Sequence, residues 1–150
     1  MPEASGGARA QLVLAFDMGL RRIGVACGDS LSRSASPLPG LSAGPDGPPW
    51  TAVDALIKEW QPARAVVGLP YNADDSEGAM AAHARAFAAA LASRYRLPVD
   101  LVDERYSSLE AQDRLRAARQ TGQRRRRVAK ADVDAAAACV ILERWFTKDT

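Results

Sequence analysis

The chain has little that marks an extracellular, zinc-binding or membrane protein. Cys27 and Cys139 stand far apart with no C-x-x-C spacing, which excludes a disulfide framework and a zinc pattern. Two such cysteines read as small buried apolar residues, and sparse unpatterned cysteine fits a reducing cytosol. His83 is the one histidine, so no imidazole cluster can form. It reads as a surface residue of a long helix. No run approaches the roughly 18 consecutive apolar residues of a membrane span. Residues 1–10 lack a basic segment followed by an apolar one, so they read as a disordered tail and not as a signal peptide. Net charge is only +2, too small to specify a partner.

What is present fits one globular domain. A chain of 150 residues can bury a core without staples, and 47% apolar with 25% charged residues excludes wholesale disorder. Residues 11–150 are therefore expected to form a single domain.

Periodicity then orders the chain. Leu12–Phe16 is an apolar run that reads as a buried strand ending at Asp17, and Ile23–Gly28 is a second, joined to it by a glycine-containing turn as in a hairpin. A weaker strand covers Ser34–Leu38. Residues 39–49, rich in proline and glycine, read as a loop. Val53, Leu56, Ile57 and Trp60 share one helical face within 50–60. Ala65–Leu69 is a strand closed by Pro70. Met80, Ala84, Phe87, Leu91 and Tyr95 form the inner stripe of a helix over 76–95, and Val99–Val102 is a strand before Asp103-Glu104-Arg105. Ser107 and Glu110 match a capping box for a helix over 108–119, 120–129 is a loop, and a last helix spans 132–145. The order β-β-β-α-β-α-β-α-α implies an α/β fold: a five-stranded mixed sheet, its first three strands antiparallel, flanked by helices.

Three acids occupy related settings: Asp17 where the first strand meets its turn, Glu104 just past the strand 99–102, and Asp134 in the first turn of the last helix. Strand ends along one sheet edge are where open α/β folds build sites. Asp134 shares its helical stripe with Ala138, Ile141 and Trp145, so its carboxylate points inward, which is costly unless paired or bound to metal. Asp132 lies about 200° away around the helix and reads as a cap or a solvent-facing residue. Three carboxylates suit Mg²⁺ or Mn²⁺, hard cations that activate water and neutralise a leaving oxygen in phosphodiester hydrolysis. Arg114, Arg116, Arg119, Arg124, Arg125, Arg126, Arg127 and Lys130 fall within seventeen positions, a candidate phosphate-binding patch.

These residues form motifs. Leu14-Ala15-Phe16-Asp17-Met18-Gly19-Leu20-Arg21-Arg22-Ile23-Gly24-Val25-Ala26 resembles the opening motif of the YqgF family. Val67-Gly68-Leu69-Pro70-Tyr71-Asn72 resembles its second, Val102-Asp103-Glu104-Arg105-Tyr106-Ser107-Ser108 its third, and Lys130-Ala131-Asp132-Val133-Asp134-Ala135-Ala136-Ala137 its fourth. Together they cover nearly the whole chain in order. The resemblance implies a ribonuclease H-like fold related to Holliday junction resolvases, and a cytoplasmic metal-dependent nuclease processing the 5′ end of precursor 16S rRNA. It implies Asp17, Glu104 and Asp134 as catalytic and metal-binding acids. Arg21, Arg22, Arg124, Arg125, Arg126, Arg127 and Lys130 are expected to contact nucleic acid, with the protein a monomer or homodimer. Departures from the family pattern are Leu20, where many members carry a small hydroxyl residue, Asp75, where glycine is common, and the extra acid Asp132.

Two alternatives remain at this point. One is resolution of four-way DNA junctions, which needs two symmetric cuts and usually a twofold dimer. The other is a nucleic-acid-binding factor without catalysis. A sugar-kinase or actin-type ATPase, which also uses a hairpin with an Asp-x-Gly turn, needs two such domains, and this chain has room for one.

Overall fold

The apolar run at 12–16 extends into β1 (Leu12–Met18), whose residues Val13–Phe16 are buried on both faces. A strand with no polar face must be central in its sheet, and β1 is the middle of five. The computed structural model describes residues 11–19, 21–44, 47–70, 78–103 and 130–148, without the side chains of 130–134 and 148. β2 (Arg22–Asp29) and β3 (Ala35–Ser42) continue from β1 as an antiparallel meander. α1 (Trp50–Trp60), β4 (Arg64–Leu69), α2 (Ala79–Tyr95), β5 (Val99–Asp103) and α3 (Lys130–Lys148) follow. The sheet order is β3-β2-β1-β4-β5, with β4 parallel to β1 and β5 parallel to β4. Parallel neighbours require crossovers, and α1 and α2 supply them. Each of these helices stops on a left-handed residue, Gln61 (φ 45°) and Arg96 (φ 50°), which turns the chain toward the next strand.

The alternation of strand side chains sorts the core into two layers. Leu14, Phe16, Val25 and Val67 face α1 and α2, where they meet Val53, Ala84, Phe87 and Leu91. Val13, Ala15, Ala26, Val66 and Val102 face α3, where they meet Ala138, Ile141, Leu142 and Phe146. Phe87 joins the first layer together, edge-on to Phe16 at 5.3 Å and stacked with Trp50 at 5.5 Å.

The expected mixed sheet with three antiparallel leading strands is present. Two local expectations change. β3 runs on to Ser42, through Pro37 and Pro39 and into the stretch read as loop. Among the described residues it is an edge strand, paired with β2, and an edge tolerates the missing N–H of proline. The described part of α3 starts at Lys130, so Asp132 lies inside the helix and not at its cap, a shift within the usual uncertainty of helix ends. The tail 1–10, the start of the helix expected from 76, the helix 108–119 and the arginine-rich loop 120–129 lie outside the described residues.

Candidate active site

Asp17 sits one residue from the end of β1. Val13 and Ala15 point toward α3, so strand alternation directs Asp17 to that face as well. Its cross-strand partner in β2 is Gly24. On the other side, Phe16 pairs with Val67 of β4, and the next residue there is Gly68, itself paired with Val102 of β5. Glycines therefore flank the Asp17 carboxylate on both neighbouring strands, and no side chain crowds it from the sheet. Asp17 is partly buried, and it does have a polar partner.

Because β1, β4 and β5 are parallel, their carboxyl ends lie on one edge of the sheet, which is where Asp17 is found. β5 ends at Asp103, with Val102 on the α3 face. Glu104, the next residue, is outside the described residues. Asp134 is the fifth residue of α3; its backbone is helical, and its side chain is not described. The stripe assigned to it holds where side chains are described: Ala138 and Ile141 are buried and Trp145 packs against the same core.

The far end of α3 is strongly anchored. Leu142 and Phe146 lie so close to Gly28 that an added Cβ would meet them at 3.1 and 3.2 Å. Trp145 Nε1 donates to Asp100 Oδ2 at 2.8 Å, and Arg64 Nη1 donates to the same oxygen at 3.1 Å. Arg144 donates to the carbonyl oxygen of Asp103 at 3.1 Å, and Arg33 donates to that of Phe146. These contacts tie the helix to β2, the β2–β3 turn and β5, with β4 joined through Arg64. Sequence reasoning missed them, as it missed Gly24 and Gly68.

Arg21 and Arg22 are exposed where β1 turns into β2. The turn is tight: a Cβ on Gly19 would stand 2.5 Å from the carbonyl oxygen of Arg22. It is also tied to β3, since the Ala43 N–H donates to the carbonyl oxygen of Arg21 at 2.8 Å. Lys130 opens α3, without a described side chain, while Arg124–Arg127, Leu20 and Asp75 lie outside the described residues. His83 is exposed on α2, as expected of a surface residue. Neither cysteine is in a disulfide; Cys139 is buried, Cys27 is half-buried, and burial pushes the Cys27 thiol pKa up. Among the described residues, no three His, Cys, Asp or Glu side chains form a group that could hold a metal. The described side chains include Asp17 but neither Glu104 nor Asp134.

Comparison with known proteins adds ancestry to this geometry. The model of the RuvX family, described as "Holliday junction resolvase", matches residues 11–148. A protein of Xanthomonas campestris pv. campestris (strain B100), named "Putative pre-16S rRNA nuclease", is 47% identical over 147 residues, 98% of this chain and 94% of that protein. A relative of the same name in Xanthomonas axonopodis pv. citri (strain 306) is 46% identical over 146 residues, 97% of this chain and 94% of that one. Among solved structures, Thermus thermophilus RuvC in complex with a Holliday junction substrate superposes with a TM-score of 0.55 at 18% identity, over 93% of this chain and 95% of that one. The yeast mitochondrial Holliday junction resolvase superposes with a TM-score of 0.50 at 12% identity, over 89% and 77%. At such identities the likeness carries the fold: the ribonuclease H-like fold of the RuvC resolvases.

Proposed function

The chain belongs to the RuvX family, the family its YqgF-like motifs indicate, and from that membership we propose that it is a divalent-metal-dependent endonuclease. Its most favoured substrate is the 5′ leader of precursor 16S rRNA. The observation that carries the proposal is Asp17, a carboxylate at the carboxyl edge of the central strand, on the α3 face, between two glycines. The substrate assignment is supported by relatives at 46–47% identity named for pre-16S rRNA.

Asp17, Glu104 and Asp134 would hold Mg²⁺ or Mn²⁺. The donor chemistry fits: these are hard carboxylate oxygens, which such ions prefer. Of the softer donors, Cys27 packs in the layer under α1 and α2, on the sheet face opposite Asp17, and His83 is on the outside of α2. When bound, such ions supply an activated water and offset charge on the leaving oxygen. The reach of the elements supports convergence. From Leu142, packed at Gly28 opposite Val13, eight residues of helix back to Asp134 span ~12 Å, and four residues of β1 from Val13 to Asp17 span ~13 Å. Helix α3 thus has the length to bring its acidic first turns level with Asp17. Arg21 and Arg22, beside that edge, and Arg124–Arg127 with Lys130 would neutralise phosphates of the bound strand, so binding is expected to weaken with salt.

A second reading, four-way DNA junctions, is favoured by the description of the RuvX family. It calls for a twofold dimer. Among the described residues no helix is long and apolar enough to cross a membrane. The test is to offer the protein a labelled leader RNA and a labelled four-way junction side by side, in Mg²⁺, in Mn²⁺ and in chelator. Metal-dependent cutting of the RNA supports the proposal, and cutting of the junction alone transfers it to the second reading. Folded protein that binds both and cuts neither would leave a non-catalytic binding factor and refute the nuclease.

A further inference from the structure

A groove of about 940 Å³ opens at the same end of the molecule, beside the β1–β2 turn and α2. That volume falls in the roughly 300–1,000 Å³ range of sites that enclose a small molecule. It begins with Met18 and Gly19, the two residues that follow Asp17, and it carries Arg21 and His83 on its wall. Its apolar wall is Trp50, with Phe87 beneath. Trp50 is held in place by stacking on Phe87, with ring planes 21° apart, and by the Arg94 guanidinium 4.5 Å from its ring centroid. No carboxylate is among the described residues that line the groove, and Arg21 and His83 are the ionisable ones.

An apolar slot edged by a guanidinium and an imidazole matches one chemistry well: a nucleotide, with its base against the apolar wall and its phosphate toward the cation. We propose that this groove takes the base of an unpaired nucleotide of the substrate strand, next to the phosphate handled at Asp17. The inference rests on the nuclease reading and deepens it. Asp17 and Met18 are consecutive and point to opposite faces of β1, so a strand lying at Asp17 enters the groove by crossing the sheet edge at Arg21. A base held in a duplex is paired and stacked and cannot enter such a slot, whereas a base in a single-stranded segment can. The groove therefore selects substrates with unpaired nucleotides beside the cut.

Ala86 lines the groove and is exposed on α2, while Ala89, also exposed on α2, does not line it. Ala86→Trp fills the groove, and Ala89→Trp places the same bulk outside it. Binding is read by fluorescence anisotropy in chelator, with a short labelled oligoribonucleotide as a single strand and annealed to its complement. Ala86→Trp is expected to weaken single-strand binding by about tenfold relative to wild type and Ala89→Trp, with duplex binding unchanged. Unchanged single-strand binding, or equal loss on both forms, would overturn the proposal. Because the assay involves no cleavage, its failure is distinct from failure of the nuclease reading. A wild type that never cuts but shows the Ala86→Trp discrimination would retain the groove and lose the enzyme.

Discussion

Gly28 is where the packing of α3 on the sheet can be tested with one methyl group. It lies in β2, paired with Val13 of β1 on one side and Ala35 of β3 on the other. A Cβ there would stand 2.2 Å from the carbonyl oxygen of Ser34 and 3.1–3.2 Å from Leu142 and Phe146. The first obstacle is backbone and cannot rotate away. The second pair belongs to the helix core, where Leu142 is fully buried and Phe146 nearly so. Overfilling a packed core costs about 1–3 kcal/mol, and a backbone obstacle puts Gly28→Ala at the upper end, about 3 kcal/mol. For a chain of this length each kcal/mol lowers the melting temperature by roughly 2–4 °C, so a loss of about 6–12 °C is expected. Thermal unfolding followed by circular dichroism measures it directly. A shift under about 2 °C would mean that β2 and α3 are not in the contact described, and the reach of α3 toward Asp17 would lose its anchor.

Other perturbations have distinct signatures. Phe87→Ala removes the ring that joins Phe16, Trp50 and the α2 stripe, and it should cost about 3–5 kcal/mol in urea unfolding. Trp145→Phe keeps an aromatic ring at this position but removes the indole Nε1–H that donates to Asp100. A bond to a charged acceptor contributes about 1.5–3 kcal/mol, and with the Asp100 side chain 43% exposed a loss of about 1 kcal/mol is expected; a double-mutant cycle with Asp100→Ala reads the coupling. The Ser32 N–H donating to Asp29 at 2.8 Å, with the Ser32 hydroxyl and the Leu31 N–H, holds the Asp29 carboxyl below the usual carboxylate range. A lowered folded-state pKa adds stability that is present above the unfolded carboxylate pKa and is lost as pH falls through the folded value. The gap in melting temperature between wild type and Asp29→Ala should therefore be constant near neutral pH and close in acid, and a gap that persists unchanged in strong acid would contradict the assignment.

The elements that could be read from the sequence are those with a periodic signal of their own. β1 is an unbroken apolar run, and α1 carries its spacing of Val53, Leu56, Ile57 and Trp60, with its bounds observed at Trp50 and Trp60. The Ala-rich α2 was harder. Its inner stripe also buries Ala81 and Ala88, which differ too little from their exposed neighbours to stand out. β3 was cut short because its prolines signal a loop, and only its position at the sheet edge makes them acceptable. Asp17 was legible as a charge at the end of an apolar strand. The glycines beside it were not, since their contribution is the absence of a side chain. The clamp of Trp145 and Arg64 on Asp100 joins residues 45 and 36 positions apart, a separation at which local patterning carries no information.

The central claim is that Asp17 and Asp134 belong to one metal-dependent cleavage site. The most direct measurement is cleavage of a labelled precursor 16S 5′-leader RNA in Mg²⁺ or Mn²⁺ by wild type, Asp17→Ala and Asp134→Ala, each checked for its melting temperature and for RNA affinity in chelator. The account expects both variants to fold and bind while cutting is abolished. Cleavage at the wild-type rate by a folded, pure Asp17→Ala protein would contradict it.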